Sequence, residues 1–213
     1  MHQLPDYINT LKMGYLDEPQ PSYIYGSADY VRIATLHLLA KEILSKQLSG
    51  NTAELGVYRG GFARFINQAF PAKKLYLFDT FTGFDGRDLF TEDKQHFSDT
   101  RQDFSDTNIE YVLSRMQKPE NCLIKQGYFP ESAAGLDDSF CFVSLDADLY
   151  EPIYAGLNYF YPRLVSGGYI MVHDYNHKLY GGVKAALQKF CSEHKLPYFP
   201  IADNSGSVII GKA

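Results

Sequence analysis

The chain has 213 residues, a formal net charge of -5 and an isoelectric point near 5.6, with 45% hydrophobic and 21% charged residues. That is enough chain for one substantial α/β domain, and an acidic balance without a Lys/Arg cluster excludes the electrostatic footprint of a nucleic-acid binder. No apolar run reaches the ~18 residues of a membrane span, and no charged-then-apolar leader follows Met1, so a cytoplasmic protein is expected.

Residues 1–27 combine Tyr7, Tyr15, Tyr23 and Tyr25 with Pro5, Pro19, Pro21 and Gly26, which argues against long regular elements. They form an aromatic arm, either a set of phenolic rings for a sugar-like acceptor or a segment packed on the domain or on a second subunit of a homo-oligomer. Residues 28–213 read as a single domain. Apolar Val31, Ala34, Leu38, Ile43 and Leu44 recur at helical spacing over 28–48, and Ser49-Gly50 ends that helix. Short apolar runs then predict strands at 53–57, 75–78, 122–125, 140–145 and 169–172. Amphipathic helices fall at 62–70, 108–116, 152–164 and 182–194. Runs at 198–202 and 207–210, joined by Asn204-Ser-Gly206, predict a closing antiparallel hairpin. Strand and helix alternation implies a mostly parallel sheet with helices on both faces. Residues 83–107 have no period and exceed an ordinary connection, so they read as a lid over the site or as a disordered excursion. Cys122, Cys141 and Cys191 lack metal-ligand spacing and read as reduced core thiols.

The turn after the first strand runs Glu54-Leu-Gly56-Val-Tyr58-Arg-Gly60-Gly61, and the second strand closes on Asp79. Strand, Gly-rich turn, helix, strand and acid make a nucleoside-binding βαβ unit, in which the acid accepts hydrogen bonds from ribose hydroxyls. A pyrophosphate cradle needs Gly-x-Gly-x-x-Gly, whereas here the glycines are 56, 60 and 61, and Glu54 would repel a phosphate. An acid there suits a ligand with an ammonium group and no phosphate, as in S-adenosylmethionine. A Gly-rich turn with no ligand is the plain alternative.

The fourth strand ends in Asp146-Ala-Asp148 and the fifth in His173-Asp174. Parallel sheets bind ligands outside the carboxyl ends of their strands, so these groups meet at the mouth of the site. Hard oxygen ligands gathered at one point suit Mg²⁺ or a similar cation, since two adjacent carboxylates repel without a cation or proton. Asp148 either joins them, caps the next helix or pairs with a basic residue. His173 is a third ligand, a general base or an orienting partner. His177 is expected on the surface or a lid, and His37 in the core.

Five segments together resemble the macrocin O-methyltransferase (TylF-like) family of class I S-adenosylmethionine-dependent methyltransferases. They are Ala53-Glu-Leu-Gly-Val-Tyr-Arg-Gly-Gly61, Phe78-Asp-Thr-Phe-Thr-Gly-Phe84, Gln126-Gly-Tyr-Phe-Pro-Glu-Ser132, Leu145-Asp-Ala-Asp-Leu-Tyr150 and Gly167-Gly-Tyr-Ile-Met-Val-His-Asp-Tyr175. The resemblance implies a Rossmann-like seven-stranded fold and Mg²⁺-dependent methylation of a sugar hydroxyl. It implies a cofactor-binding set of Glu54, Gly56, Tyr58, Gly60, Asp79, Thr80, Phe81, Gln126 and Gly127, with Glu54, Gly56 and Tyr58 on the methionine side and Gln126-Gly127 by the adenine. Asp146, His173 and Asp174 would hold the metal. The family commonly has Asp-Asp-Tyr where this chain has His173-Asp174-Tyr175, a change that lowers the negative charge and admits Mn²⁺.

The sequence-based expectation is therefore an O-methyltransferase acting on a small hydroxylated acceptor, with Asp146 or His173 taking the proton. A catechol or phenol acceptor, a nicotinamide oxidoreductase and a non-catalytic binding module are the competing readings.

Overall fold

A computed structural model describes residues 29–98 and 101–213. The expected aromatic arm, residues 1–27, lies outside the described residues. The first helix, α1 (Tyr30–Ser45), is capped by Asp29, whose carboxylate accepts from the Arg32 amide at 3.3 Å. Its Ile33, Leu36, Ala40 and Ile43 are buried at helical spacing. There follow β1 (Asn51–Leu55), α2 (Ala63–Ala69), β2 (Leu75–Asp79), α3 (Gly86–Gln95), α4 (Ile109–Ser114) and β3 (Cys122–Gln126). The chain continues through β4 (Phe140–Leu145), α5 (Tyr150–Arg163), β5 (Leu164–Val172), α6 (Gly181–His194), β6 (Phe199–Pro200) and β7 (Val208–Gly211).

The sheet has seven strands in the order β3-β2-β1-β4-β5-β7-β6. Strands β1 to β5 pair in parallel, and β7 runs antiparallel to both β5 and β6. This is the expected Rossmann-like class I methyltransferase plan. The chain winds outward from β1 through β2 to β3, then returns to place β4 on the other side of β1. That reversal opens a crevice above the carboxyl ends of β1 and β4.

Side chains alternate across the sheet and build a core on each face. In β2, Tyr76 and Phe78 point to the core shared with α5 and α6, while Leu75 and Leu77 point to the core shared with α1 and α2. Phe160 of α5 lies within 5.6 Å of the ring centroids of Phe78, Phe129 and Phe140. Each such fully buried aromatic contributes roughly 1.5–3 kcal/mol. Cys141 and Cys191 are buried, Cys122 is half-buried, and all three are free. No helix among the described residues is long and apolar enough to cross a membrane.

Three boundaries differ from expectation for physical reasons. The first strand starts at Asn51 and stops at Leu55, because Gly56 leaves extended geometry at φ +83°. The fifth begins at Leu164, well before residue 169, with Gly167 at φ +80° accommodated inside it rather than breaking it. Residues 83–107, read as a lid or a disordered excursion because they show no period, contain α3, capped by Asp85, whose carboxylate accepts from the Arg87 amide at 2.9 Å. The buried side chains of α3 are Asp88 and Glu92, not hydrocarbons, so no apolar period marked it.

Candidate active site

A cavity of about 550 Å³ lies above the carboxyl ends of β1, β2 and β4. Of the sequence-predicted donor residues, Glu54, Gly56, Tyr58, Asp79, Thr80 and Gly127 line it, and so do Asp146, His173 and Asp174. Gly60, Phe81 and Gln126 do not. Gly60 backs onto Val112 and Met116, Phe81 is buried in the core, and Gln126 is exposed with Nε2 donating to the Thr80 carbonyl at 3.4 Å.

On the donor side, Asp79 ties two loops together. Its Oδ2 accepts from the amides of Val57 at 2.7 Å and Tyr58 at 2.8 Å, and its Oδ1 accepts from the Phe81 amide at 2.7 Å. A carboxylate has about four lone-pair sites, so Oδ1 keeps room for one further donor. The two glycines of the turn serve different ends. A Cβ on Gly56 would meet the Asp146 carbonyl oxygen at 2.1 Å, so Gly56 is needed for backbone packing against β4. A Cβ on Gly61 would meet nothing within 4 Å and would project into open space beside the cavity.

Glu54 is 1% exposed, and its Oε2 has no hydrogen-bond partner among the described residues. Burial first, and then the charges of Asp146 and Asp79, push its carboxyl well above the usual range, with Arg32 and His173 opposing. A buried carboxylate lacking a partner on the cavity wall is an acceptor for a cationic donor group.

The second cluster is built where β4 and β5 end side by side. His173 Nδ1 lies 2.9 Å from Asp146 Oδ1 and 2.8 Å from Asp174 Oδ2. Burial lowers the basicity of His173, but the carboxylates of Asp146 and Asp174 raise its pKa to about 10. Burial also disfavours the charge on Asp146, yet Arg32 and His173 hold its carboxyl well below the usual range. Asp148 does not cap α5, whose N-cap is Leu149 without a side-chain bond. Burial, then the charges of Asp146 and Asp174, push the Asp148 carboxyl up, and it hydrogen-bonds to Asp174. Ligand atoms of Asp146, His173 and Asp174 all lie within 4.8 Å of one another, a spacing and donor set that fit a divalent cation.

Sequence reasoning missed several wall residues. Arg32 reaches the cluster from α1, and the only hint was a lone charge in the run Tyr30-Val-Arg-Ile-Ala34. His177, expected on the surface or a lid, lines the cavity, its ring stacked on Tyr180 with centroids 5.0 Å apart. The segment 83–107 contributes Gly83, Phe84, Asp85, Asp88, Gln102 and Phe104 to the wall. It is pinned at several points. Tyr58 Oη donates to Asp106 at 2.6 Å, Phe104 packs edge-on against Tyr58, and Glu92 accepts from the Tyr150 amide at 2.6 Å.

The model of the macrocin O-methyltransferase (TylF) family matches residues 10–205. A curated relative, the 8-demethyl-8-(2,3-dimethoxy-alpha-L-rhamnosyl)-tetracenomycin-C 4'-O-methyltransferase of Streptomyces olivaceus, is 23% identical over 73% of this chain and 64% of its own length. The demethyldecarbamoylnovobiocin O-methyltransferase of Streptomyces niveus is 23% identical over 68% of this chain and 60% of its own. The match therefore spans less than two thirds of either relative. Among solved structures, the O-methyltransferase NovP superposes with a TM-score of 0.72 at 19% identity, covering 86% of this chain and 80% of its own.

Proposed function

The chain belongs to the macrocin O-methyltransferase family, and from that premise we propose that it moves a methyl group from S-adenosylmethionine to a hydroxyl of a sugar or glycosylated natural product. The carrying observation is Glu54, a buried carboxylate whose Oε2 has no partner among the described residues, on the wall of a cavity that Asp79 and Gly61 also line. It matches the ammonium of a methionine tail, as the open capacity of Asp79 matches a ribose hydroxyl. The names of the relatives favour a sugar-bearing acceptor, the tetracenomycin enzyme being named for a rhamnosyl compound. The nicotinamide and binding-module readings have no comparable support.

Asp146, His173 and Asp174 would hold a divalent cation, whose contribution when bound is to make an acceptor hydroxyl acidic. Of Asp146 and His173, 2.9 Å apart, His173 is the group to take the hydroxyl proton, in the neutral form that cation binding would require, because Arg32 keeps the Asp146 carboxylate ionised and weakly basic. As the new O–CH₃ bond forms, the S–CH₃ bond breaks and its electron pair neutralises the sulfonium, giving S-adenosylhomocysteine. Cavity walls that hold donor and acceptor in line supply the near-attack geometry. The segment 83–107, pinned across the opening by Asp106 and Glu92, acts as the lid that keeps water out. The direct test is to incubate the protein with S-adenosylmethionine, Mg²⁺ and a panel of free sugars, glycosides and catechols, and to detect S-adenosylhomocysteine and methylated product. Methyl transfer to a sugar hydroxyl is expected. Transfer to catechols alone would overturn the acceptor class, and no transfer with tight donor binding would overturn the catalytic reading.

A further inference from the structure

Arg32 belongs to none of the five motifs, yet it sits at the centre of the site. It leaves the first turn of α1 and is 6% exposed, with its guanidinium carbon 3.7 Å from the centroid of the Phe62 ring. Phe62 directly follows Gly61 of the donor-side turn. From there Arg32 Nη2 donates to Asp146 Oδ2 at 2.9 Å and to Ser144 Oγ at 3.5 Å. Its Nε is buried with no partner among the described residues. Burying a guanidinium whose bonds are incomplete is unfavourable, and an apolar side chain would pack on Phe62 at least as well. The direction of the charge therefore needs a reason. His173 takes one oxygen of Asp146 and Arg32 takes the other.

We infer that Arg32 is a positioning residue for the Asp146 carboxylate. By holding Oδ2, it leaves Oδ1, on the His173 side, as the ligand atom, so Asp146 serves as a single-oxygen ligand in a fixed orientation. Through Phe62 it also joins that carboxylate to the donor-side turn, so both sides of the transfer share one rigid bridge. A lysine would not do the same, because a point charge lacks the planar fork that holds a carboxylate at a set angle. A permanent cation this close also opposes a divalent ion and keeps its affinity moderate. The inference rests on the metal-dependent methyl-transfer reading above.

Mn²⁺ binding by electron paramagnetic resonance, S-adenosylhomocysteine binding by calorimetry and turnover would be measured on the wild-type protein, Arg32→Met and Arg32→Lys. In Arg32→Met, Mn²⁺ should bind at least about tenfold tighter, since the opposing charge is gone and Oδ2 is freed. Turnover should fall about 100-fold, the scale for a reacting group misplaced by ~1 Å. Affinity for S-adenosylhomocysteine should stay within about threefold, well below the loss of a bond to a charged group. Arg32→Lys, should the methionine variant fold poorly, should keep wild-type Mn²⁺ affinity and lose about tenfold in turnover. The opposite movement of metal affinity and turnover separates positioning from damage, because a merely structural role lowers both together. A joint fall, or turnover retained in both variants, would overturn the inference. So would a loss of S-adenosylhomocysteine binding beyond about tenfold, which would make Arg32 a donor contact. Absence of Mn²⁺ binding or methyl transfer in the unmutated protein would remove the underlying reading as well, and is distinguished by appearing before any variant is compared.

Discussion

Replacing Glu54 by Gln should move stability and donor affinity in opposite directions. Glu54 is 1% exposed, and its Oε2 lacks a partner among the described residues, so in the donor-free protein the carboxylate is a burden. Leaving a buried polar group unsatisfied costs about 1–3 kcal/mol, and Gln removes the charged part of that penalty. The donor-free variant should therefore melt several degrees higher, at about 2–4 °C per kcal/mol for a domain of this size. The folded-state carboxyl is raised, chiefly by burial, so its penalty is absent at low pH and grows as pH rises above the ordinary carboxylate range near ~4. The gain should accordingly vanish near pH 4 and grow as pH rises above it. Binding of S-adenosylmethionine should weaken by roughly 1.5–3 kcal/mol, the scale of a hydrogen bond to a charged group, which is about 10- to 150-fold in affinity. Thermal unfolding with and without donor, paired with calorimetric titration, reads both numbers. Unchanged donor affinity would refute the ammonium assignment, and a less stable donor-free variant would refute the picture of an uncompensated buried carboxylate.

Asp88 supplies a second pH handle, because burial pushes its carboxyl up to about 6 despite the hydrogen bond from Tyr128. Its contribution to stability is present below the unfolded value and lost as pH rises through about 6, so Asp88→Asn should gain up to about 2–3 kcal/mol relative to wild type between pH 4 and pH 7 in denaturant unfolding. Gly56→Ala should unfold or lose at least about 2 kcal/mol, since its Cβ would sit 2.1 Å from the Asp146 carbonyl oxygen at a positive φ, whereas Gly61→Ala should fold normally and lose donor binding. Circular-dichroism melting with calorimetry separates those two outcomes. A chelator should abolish methyl transfer while leaving donor binding intact, and Asp146→Asn should eliminate Mn²⁺ binding whereas Asp148→Asn retains it. Full turnover in metal-free protein would refute that part of the mechanism.

The elements with a strong hydrophobic period were legible without coordinates. Strands such as Leu75–Asp79 and Phe140–Leu145 and helices such as Tyr150–Arg163 fell within a few residues of expectation, because burying their apolar faces decides their form. Polar α3 escaped because it buries Asp88 and Glu92, and what stabilises those carboxylates comes from Tyr128 and from the amide of Tyr150, distant in sequence. The chemistry divides in the same way. Glu54, Asp79, Asp146, His173 and Asp174 stand at strand ends, and a parallel sheet carries every strand end to one mouth, so their meeting followed from local pattern alone. Which oxygen each carboxylate offers, and which cation opposes it, did not follow. Arg32 lies 114 residues from the carboxylate it holds, and only the packing of α1 against the sheet brings the two to 2.9 Å. Side-chain periodicity is a property of neighbours along the chain and is therefore written in the sequence. The partner of a buried charge is a property of neighbours in space, which exist only once the layers have packed.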